Sequence, residues 1–313
     1  MGADTIDHDR LYKELLQTFF KEFMDLFFPK VSAAIDYTHL KFLSEEVFSG
    51  LVGGTTERVD LVVETKLLED GEEREVGQVH KNKPNIRSKL NKTLIIIHLE
   101  PQSYHESDFP ERMFLYSSKL YEKYRRPILP IAIFSHARRA EEPITFGWGF
   151  PFLQVVWFRY YVVQLRKKNW RQFVRKNNPV AAALLSSMGY NKKERVTVKL
   201  EFLRMMIRLR LDPARMKLLT IFFETYMPLT ETENEQLVKK IEQTELKEEA
   251  MVMEWLTSWE KKGLEQGRQE SKEEIATKML AKGLDPAIVE ELTGLPAGRI
   301  RELSLRPEVD KVT

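Results

Sequence analysis

The stretch Leu94-Ile95-Ile96-Ile97-His98-Leu99-Glu100-Pro101-Gln102 places an apolar run directly before an acid, a proline and an amide. A short run of this kind, rich in β-branched residues, predicts a strand. An earlier run, Val59-Asp60-Leu61-Val62-Val63, also carries one carboxylate at an edge. Two strands that each present a carboxylate on a rigid frame offer the hard oxygen ligands that a divalent cation needs. Asp60 and Glu100 are therefore candidate metal ligands, in a pattern typical of phosphodiester cleavage.

The composition describes an ordinary globular chain with a charged surface. Its 313 residues are 42% hydrophobic and 31% charged, enough for one sizeable domain with an appendage or for two domains. The net charge is only +2, so a nucleic-acid-binding surface requires segregated charge. The chain has no cysteine, which excludes disulfides, thiolate zinc sites and a cysteine nucleophile.

Neither a leader peptide nor a membrane span is indicated. Residues 1–9 are acidic and polar, unlike a secretory signal. The most apolar stretch, residues 150–165, is interrupted by Gln154 and Arg159 and is too short to cross a bilayer. We expect a cytoplasmic protein without membrane contact.

The first half of the chain alternates helix and strand patterns. One helix is predicted over 10–28, with Asp9 as its N-cap and Pro29 as its stop, and a second from about 109 to Tyr124. Strands are predicted over residues 42–48, 57–68, 94–100, 128–135 and 153–165, with an exposed basic loop over 78–92. This order predicts an α/β fold with a mixed central sheet flanked by helices.

The second half is predicted to be all-α. Helical spacing recurs in three segments, 181–188, 196–211 and 215–226. A polar, charged stretch then predicts a frayed helix or connector. Short amphipathic helices over 275–282, 286–293 and 297–303 outline a small helix-turn-helix bundle, although self-association or docking of a partner fits them equally.

Side chains near the two acids extend the candidate site. Gln102 lies two residues beyond Glu100, so it shares that face of the strand and is suited to orient water or contact phosphate. Arg112, Tyr116 and Lys119 share one face of the following helix, where they either contact phosphate or form its solvated edge. Lys13 is a further candidate phosphate contact. The histidines His39, His80, His105 and His136 show no metal-ligand spacing and are assigned no function.

Four blocks together resemble a known family. They are His8-Asp9-Arg10-Leu11-Tyr12-Lys13-Glu14-Leu15-Leu16, Arg58-Val59-Asp60-Leu61, Glu100-Pro101-Gln102-Ser103 and Phe109-Pro110-Glu111-Arg112-Met113-Phe114-Leu115-Tyr116. In this order they resemble the recombination-promoting nucleases, also described as PD-(D/E)XK nuclease family transposases. The resemblance covers roughly residues 8–190 and extends loosely to 305.

This resemblance implies a restriction-endonuclease-like core over residues 1–190. A helical extension (191–230), a charged helical connector (231–274) and a helix-turn-helix-like segment (275–305) follow it. It further implies a Mg²⁺- or Mn²⁺-dependent DNA endonuclease linked to recombination or mobile elements. Asp60 and Glu100 are then the two acids, and Gln102 stands where many members of the superfamily have lysine.

A second hypothesis remains open. Pro101 and the long spacing between the two acids depart from the family pattern. A catalytically inactive DNA-binding or assembly protein with the same fold is therefore the alternative, and homo-oligomers through the C-terminal helices fit either hypothesis. No GxxxxGK[ST], HExxH or GxSxG motif indicates another enzyme class.

Overall fold

A computed structural model describes most of the chain. The described residues are 8–43, 61–68, 94–102, 105–136, 140–242, 272–273, 275–281 and 283–304. They divide into two compact units, the first ending at Lys240 and the second beginning at Ile241. In the described residues no helix has the length and apolar character needed to cross a membrane.

The first unit mixes helices with two sheets. Its helices are α1 His8–Thr18, α2 Phe20–Phe27, α3 Pro29–Ser32, α4 Phe109–Tyr124, α5 Pro179–Leu184, α6 Arg195–Leu209, α7 Pro213–Tyr226 and α8 Glu231–Glu242, which runs into the second unit. Its strands are β1 Ile35–Leu43, β2 Leu61–Leu67, β3 Leu94–Gln102, β4 Ile128–Phe134, β5 Thr145–Phe150, β6 Leu153–Arg159 and β7 Tyr161–Gln164. The predicted mixed α/β class is confirmed.

Among the described residues, the main sheet has five strands in the order β1-β2-β3-β4-β7. β1 and β2, and β2 and β3, pair antiparallel, whereas β3, β4 and β7 are parallel to one another. The apolar runs predicted as strands supply its centre, because Val63, Ile97 and Ile131 are fully buried. β3 and β4 are parallel and therefore end at the same edge of the sheet, where α4 begins.

α4 has the start that the sequence predicts. Asp108 occupies the N-cap position, Pro110 lies in the first turn and Glu111 places a negative charge at the positive end of the helix. The helix ends at Tyr124, and Arg125 adopts a left-handed conformation with φ of 51°. Its buried face packs between the sheet and the second, smaller sheet.

Both edge strands of the main sheet are irregular or short. The register of β1 against β2 shifts between Asp36 and Lys41, a bulge at which the Asp36 carboxylate accepts hydrogen bonds from Thr38. β7, at the opposite edge, has only four residues. Because β1 begins at Ile35, the predicted strand over 42–48 began seven residues too late, and the rest of that prediction lies outside the described residues.

The predicted strand over 153–165 is in fact two strands in different sheets. β6 pairs with β5 in a separate two-stranded sheet, and the chain then changes sheet at the buried residue Tyr160. Backbone approach in this hairpin is close: a Cβ on Gly147 would lie 2.3 Å from the Val156 carbonyl oxygen. Large apolar side chains of the hairpin, among them Phe152 and Trp157, are exposed.

The N-terminal helix also differs from its prediction. It divides at Phe19, whose ψ of 39° is not helical, although backbone hydrogen bonds continue through that residue. Asp9 lies inside α1 instead of capping it. α2 ends at Phe27, just before Pro29 as predicted, and Pro29 then begins the short helix α3, where its missing N–H is no loss.

The helices after β7 pack around an apolar core. Every residue of α5 is buried, and its N-cap Asn178 accepts a hydrogen bond from the Ala181 N–H at 3.0 Å. α7 packs on α1 and α5, and the rings of Phe202 and Phe223 stack 4.0 Å apart. This confirms the predicted helical character beyond Trp170. The charged stretch is helical over Glu231–Glu242.

Candidate functional site

Three polar side chains converge where β3 ends and α4 begins. The Arg112 Nη2 donates to Gln102 Oε1 at 2.8 Å, and Arg112 Nη1 lies 2.6 Å from a carboxylate oxygen of Glu106. Gln102 Nε2 donates to the same carboxylate at 3.4 Å. We call these three residues the Arg112 cluster. Sequence reasoning placed Gln102 and Arg112 in one site but did not anticipate Glu106.

Local structure explains why these side chains meet. Gln102 is the last residue of β3, Glu106 lies in the connection, and Arg112 is in the first turn of α4, where its N–H donates to Asp108 O. The guanidinium also lies over the Phe109 ring, 5.1 Å from its centroid. A planar guanidinium held by an amide, a carboxylate and an aromatic ring is fixed in orientation.

Burial makes the Arg112 cluster electrostatically significant. Gln102 is only 5% exposed, and the side chains of Arg112 and Glu106 are 20% and 24% exposed. Partial removal from water strengthens both the ion pair and its hydrogen bonds. The positive charge of Arg112 is largely balanced by Glu106, so a phosphate that binds to Arg112 must compete with that carboxylate.

The other predicted phosphate contacts lie in different environments. Tyr116 is buried and packs with Val62 and Leu120, rather than standing on a solvated face. The Lys119 Nζ lies 5.8 Å from the centroid of the Tyr116 ring, and Lys119 is half-buried. Lys13 is half-buried on α1. The structure thus joins Gln102 to Arg112, and it places Tyr116 in the core with its ring centroid 5.9 Å from the Arg112 guanidinium carbon.

The two candidate acids are described only in part. Asp60 lies outside the described residues, and for Glu100 the structure describes the backbone, paired with Ala132 of β4. Leu61, the residue after Asp60, pairs with Leu99, the residue before Glu100. The described antiparallel register of β2 and β3 therefore extends to within one residue of each acid.

Pro101 fits β3 without the loss of a bond to β4. The Ser135 N–H donates to the Gln102 carbonyl at 3.0 Å, so the backbone groups of Gln102 face β4. The backbone N–H and C=O groups of successive strand residues point to opposite neighbouring strands, so the nitrogen of Pro101 faces the β2 side. There the described part of β2 begins only at Leu61, opposite Leu99. Pro101 is thus compatible with the strand end, as expected, although β3 is central in the sheet.

Two histidines and a glutamate gather at the same edge of the sheet, and sequence reasoning missed them. One donor atom from each of His105, His136 and Glu142 lies within 4.8 Å of the others. Burial, and then the negative charge of Glu142, raise the pKa of the Tyr160 hydroxyl, which donates to Pro143 O at 2.6 Å. The only sequence signal for this group is that each member lies near the end of a strand.

The described part of the second unit contains three short helices. α9 is described over residues 272–273 and 275–281, α10 spans Pro286–Thr293 and α11 spans Ala297–Ser304. Asp285 caps α10 through the Ala287 N–H at 2.8 Å, and Gly294 ends it with φ of 64°. A small core holds the helices together, formed by Ala276, Val289, Leu295, Ile300 and Leu303.

Family comparison agrees with this arrangement of three helices. Residues 269–304 match the C-terminal HTH domain of the Rpn/YhgA-like nuclease family. The matched segment is the HTH domain of a family that is named for nucleases, and the HTH is a DNA-binding motif. No curated protein and no solved structure matches the chain. The predicted helix-turn-helix-like segment is thereby supported over 275–304.

Proposed function

We propose that this protein is a metal-dependent DNA endonuclease that hydrolyses phosphodiester bonds. The observation that carries the proposal is the match of residues 269–304 to the C-terminal HTH domain of a nuclease family. The sheet supports it only as far as the pair Leu61 and Leu99, which are the sequence neighbours of Asp60 and Glu100. We further propose a restriction-endonuclease-like fold for the core and a role in recombination or mobile-element biology.

Mg²⁺ or Mn²⁺ is the proposed cofactor. The donor set fits such an ion, because the carboxylates of Asp60 and Glu100 and the carbonyl of Pro101 are hard oxygens. When bound, the ion would polarise the phosphate and lower the pKa of the attacking water. Of the protein groups, the two carboxylates hold the ion and Gln102 orients water or phosphate. Arg112, in exchange for its bond to Glu106, contacts the phosphate.

A nicking assay tests the proposal directly. Supercoiled plasmid is incubated with the protein and Mg²⁺, Mn²⁺ or EDTA, alongside Asp60→Ala, Glu100→Ala and the control Glu111→Ala. Glu111 is an exposed acid near the site, so its loss is expected to leave nicking unchanged. We expect metal-dependent nicking that both acid variants lose. Absence of nicking with every metal, or nicking that survives both substitutions, contradicts the proposal.

A DNA-binding or assembly protein without catalysis is the second candidate. The observation favouring it is that the Gln102 amide is buried and engaged by Arg112 and Glu106, as in a purely structural network. The two candidates predict different results for Asp60→Ala. A nuclease loses cleavage and keeps DNA binding, whereas a non-catalytic binder shows no cleavage before or after the substitution.

DNA binding by the HTH domain has its own test at Gly298. This residue lies near the start of α11, the second helix of the motif, where recognition helices approach DNA. A Cβ on Gly298 would meet no atom within 4 Å, so larger side chains fit there. Gly298→Glu adds a negative charge, and Gly298→Gln adds nearly the same volume without one. We expect the glutamate to weaken DNA affinity about ten-fold relative to glutamine at low salt. If the Gly298→Glu and Gly298→Gln variants bind DNA with equal affinity, the start of α11 does not face the DNA.

A further inference from the structure

We propose that His105, His136 and Glu142 bind a single divalent transition-metal ion, with Zn²⁺ as the ion that their chemistry favours. Its ligands are different residues from the carboxylate pair assigned to Mg²⁺, and the inference does not rest on nuclease activity. It starts from a juxtaposition that only the fold creates, because the three residues are far from any metal-binding spacing in sequence.

Parallel strands bring the ligands together. His105 follows the end of β3, His136 follows the end of β4, and Glu142 precedes β5. The hydrogen bond from the Ser135 N–H to the Gln102 carbonyl, 3.0 Å long, ties the two strand ends side by side. Elements of regular structure therefore flank all three ligands, which is how precise sites are held.

The distances are those of a nearly assembled site. His105 Nδ1 lies 3.6 Å from one carboxylate oxygen of Glu142, and His136 Nε2 lies 3.5 Å from the other. Bonds of about 2.0–2.1 Å in a tetrahedral zinc site place donor atoms about 3.3 Å apart. Each histidine nitrogen therefore lies within a few tenths of an ångström of that spacing from its own Glu142 oxygen, and binding through a single oxygen requires the carboxylate to turn. The donor nitrogens of the two imidazoles lie no more than 4.8 Å apart, so they must also move closer together when a metal binds.

Burial explains why a metal is favoured here. The Glu142 side chain is 2% exposed and that of His136 8%, whereas His105 is 40% exposed. A buried carboxylate is a strong ligand for a cation because little water competes for it. A dication held by two neutral imidazoles and this carboxylate adds positive charge to the interactions that Glu142 already makes. The more exposed His105 has room to complete the coordination.

Surrounding groups hold the two buried ligands in place. The Phe134 ring lies 5.3 Å from the His136 ring, centroid to centroid, and orients it from the core side. The Tyr160 hydroxyl donates to the carbonyl of Pro143, the residue after Glu142, at 2.6 Å. Such supporting contacts fix ligand direction and are part of a functional metal site.

The donor set selects the class of metal. Imidazole nitrogens suit Zn²⁺ and its neighbours in the first transition row, whereas Mg²⁺ prefers oxygen ligands and retains water. Two histidines and one glutamate leave one tetrahedral position open for water, the arrangement of zinc sites that do chemistry. Non-haem Fe²⁺ uses the same donors, but Zn²⁺ binds more tightly than Fe²⁺ to a given site of this type.

Metal binding to the full-length protein, stripped with a chelator and free of DNA, tests the inference. Zn²⁺ is titrated by calorimetry, and Co²⁺ reports coordination through its visible d–d absorption. We expect one Zn²⁺ per chain and an intense Co²⁺ spectrum of the tetrahedral type. His136→Gln and Glu142→Gln should each weaken Zn²⁺ binding more than the roughly 10- to 100-fold that loss of a supporting partner causes.

His39→Gln is the matched control. His39 is an exposed histidine on β1 that already bonds to Asp36, so its replacement removes an imidazole without touching the site. Zinc affinity unchanged in His39→Gln and lost in His136→Gln supports the inference. The same distances also permit a protonated histidine paired with Glu142, which predicts no zinc uptake. Wild-type protein that binds no Zn²⁺, prefers Fe²⁺ under anaerobic conditions or prefers Mg²⁺ overturns the inference.

The wild-type measurements also guard against variants that fail to fold. Circular dichroism identifies such variants, and zinc stoichiometry together with the Co²⁺ spectrum of the unmodified chain still decides the question. Because no DNA is present, a negative result here leaves the nicking assay unaffected. A negative nicking assay likewise leaves the zinc site standing.

Discussion

Replacement of Arg112 by alanine should destabilise the first unit by an amount that the Arg112 cluster determines. The substitution deprives the Gln102 side-chain Oε1 of its donor at 2.8 Å and removes the ion pair to Glu106 at 2.6 Å. Loss of a donor to a buried acceptor costs about 1–3 kcal/mol. Breaking a fully buried pair costs about 3–5 kcal/mol, but Glu106 is 24% exposed and regains water, so we expect about 1–2 kcal/mol from it.

Together these losses amount to about 3 kcal/mol, which corresponds to about 6–12 °C in Tm for a unit of this size. Urea unfolding and thermal melts of Arg112→Ala measure it. Arg112→Lys keeps the charge but not the fork that reaches both partners, so it should cost about half as much. Lys123→Ala, an exposed cation on the same helix, is the control and should change stability by less than about 0.5 kcal/mol.

A double-mutant cycle with Gln102→Ala separates the hydrogen bond from the ion pair. Because the two residues are in contact, their effects should not add, and the coupling should be about 1–2 kcal/mol. The reasoning is refuted if Arg112→Ala costs no more than Lys123→Ala, or if the two substitutions in the cycle are additive.

Three further predictions concern stability. Burial lowers the pKa of Lys199 to about 7 despite its contact with Glu224, so the native state gains stability as pH rises from 7 toward 10.5. Lys199→Met should reduce the increase in the free energy of unfolding between pH 7 and 9 by about 1–2 kcal/mol, as measured by urea unfolding at each pH. If the variant shows the same pH dependence of stability as wild type, the prediction is wrong. Gly189→Ala should lower the free energy of unfolding by about 2 kcal/mol, because the new Cβ would lie 2.4 Å from the Arg166 carbonyl oxygen. A Tm equal to that of wild type would show that the backbone moves to accommodate the methyl group. Asn178→Ala should cost about 2 kcal/mol, since the side chain caps α5 and also donates to the Glu22 carbonyl, and a thermal melt within 1 °C of wild type would rule that out.

Sequence patterns predicted those elements whose signals are local. α4 was predictable because Asp108, Pro110 and Glu111 are each favoured at a helix start, and β4 because its apolar run is short and continuous. β1 was largely missed because it is an edge strand with a bulge, and its alternation of apolar and polar residues is weak. The division at Tyr160 was missed because periodicity identifies a strand without saying which sheet it joins.

In the candidate site too, contacts between residues close in sequence were predictable and contacts between distant residues were not. Gln102 and Arg112 could be placed in one site because a strand end and the next helix start are close in sequence. His105, His136 and Glu142 could not, since they meet only after β3 and β4 pair in parallel, a contact between distant segments. Glu106 lies in a connection without periodicity, so no pattern indicated its bonds to Gln102 and Arg112.

The two edges of the main sheet bear on whether the protein aggregates at high concentration. An open strand edge is a template for intermolecular β-pairing, and native proteins blunt such edges with bulges, charges or short strands. Here the bulge between Asp36 and Lys41 breaks the register of β1, and β7 offers only four residues. The bulge and its Asp36–Thr38 hydrogen bonds are therefore expected to protect the β1 edge from intermolecular pairing. A chain in which those hydrogen bonds have broken is the species from which ordered aggregation would begin.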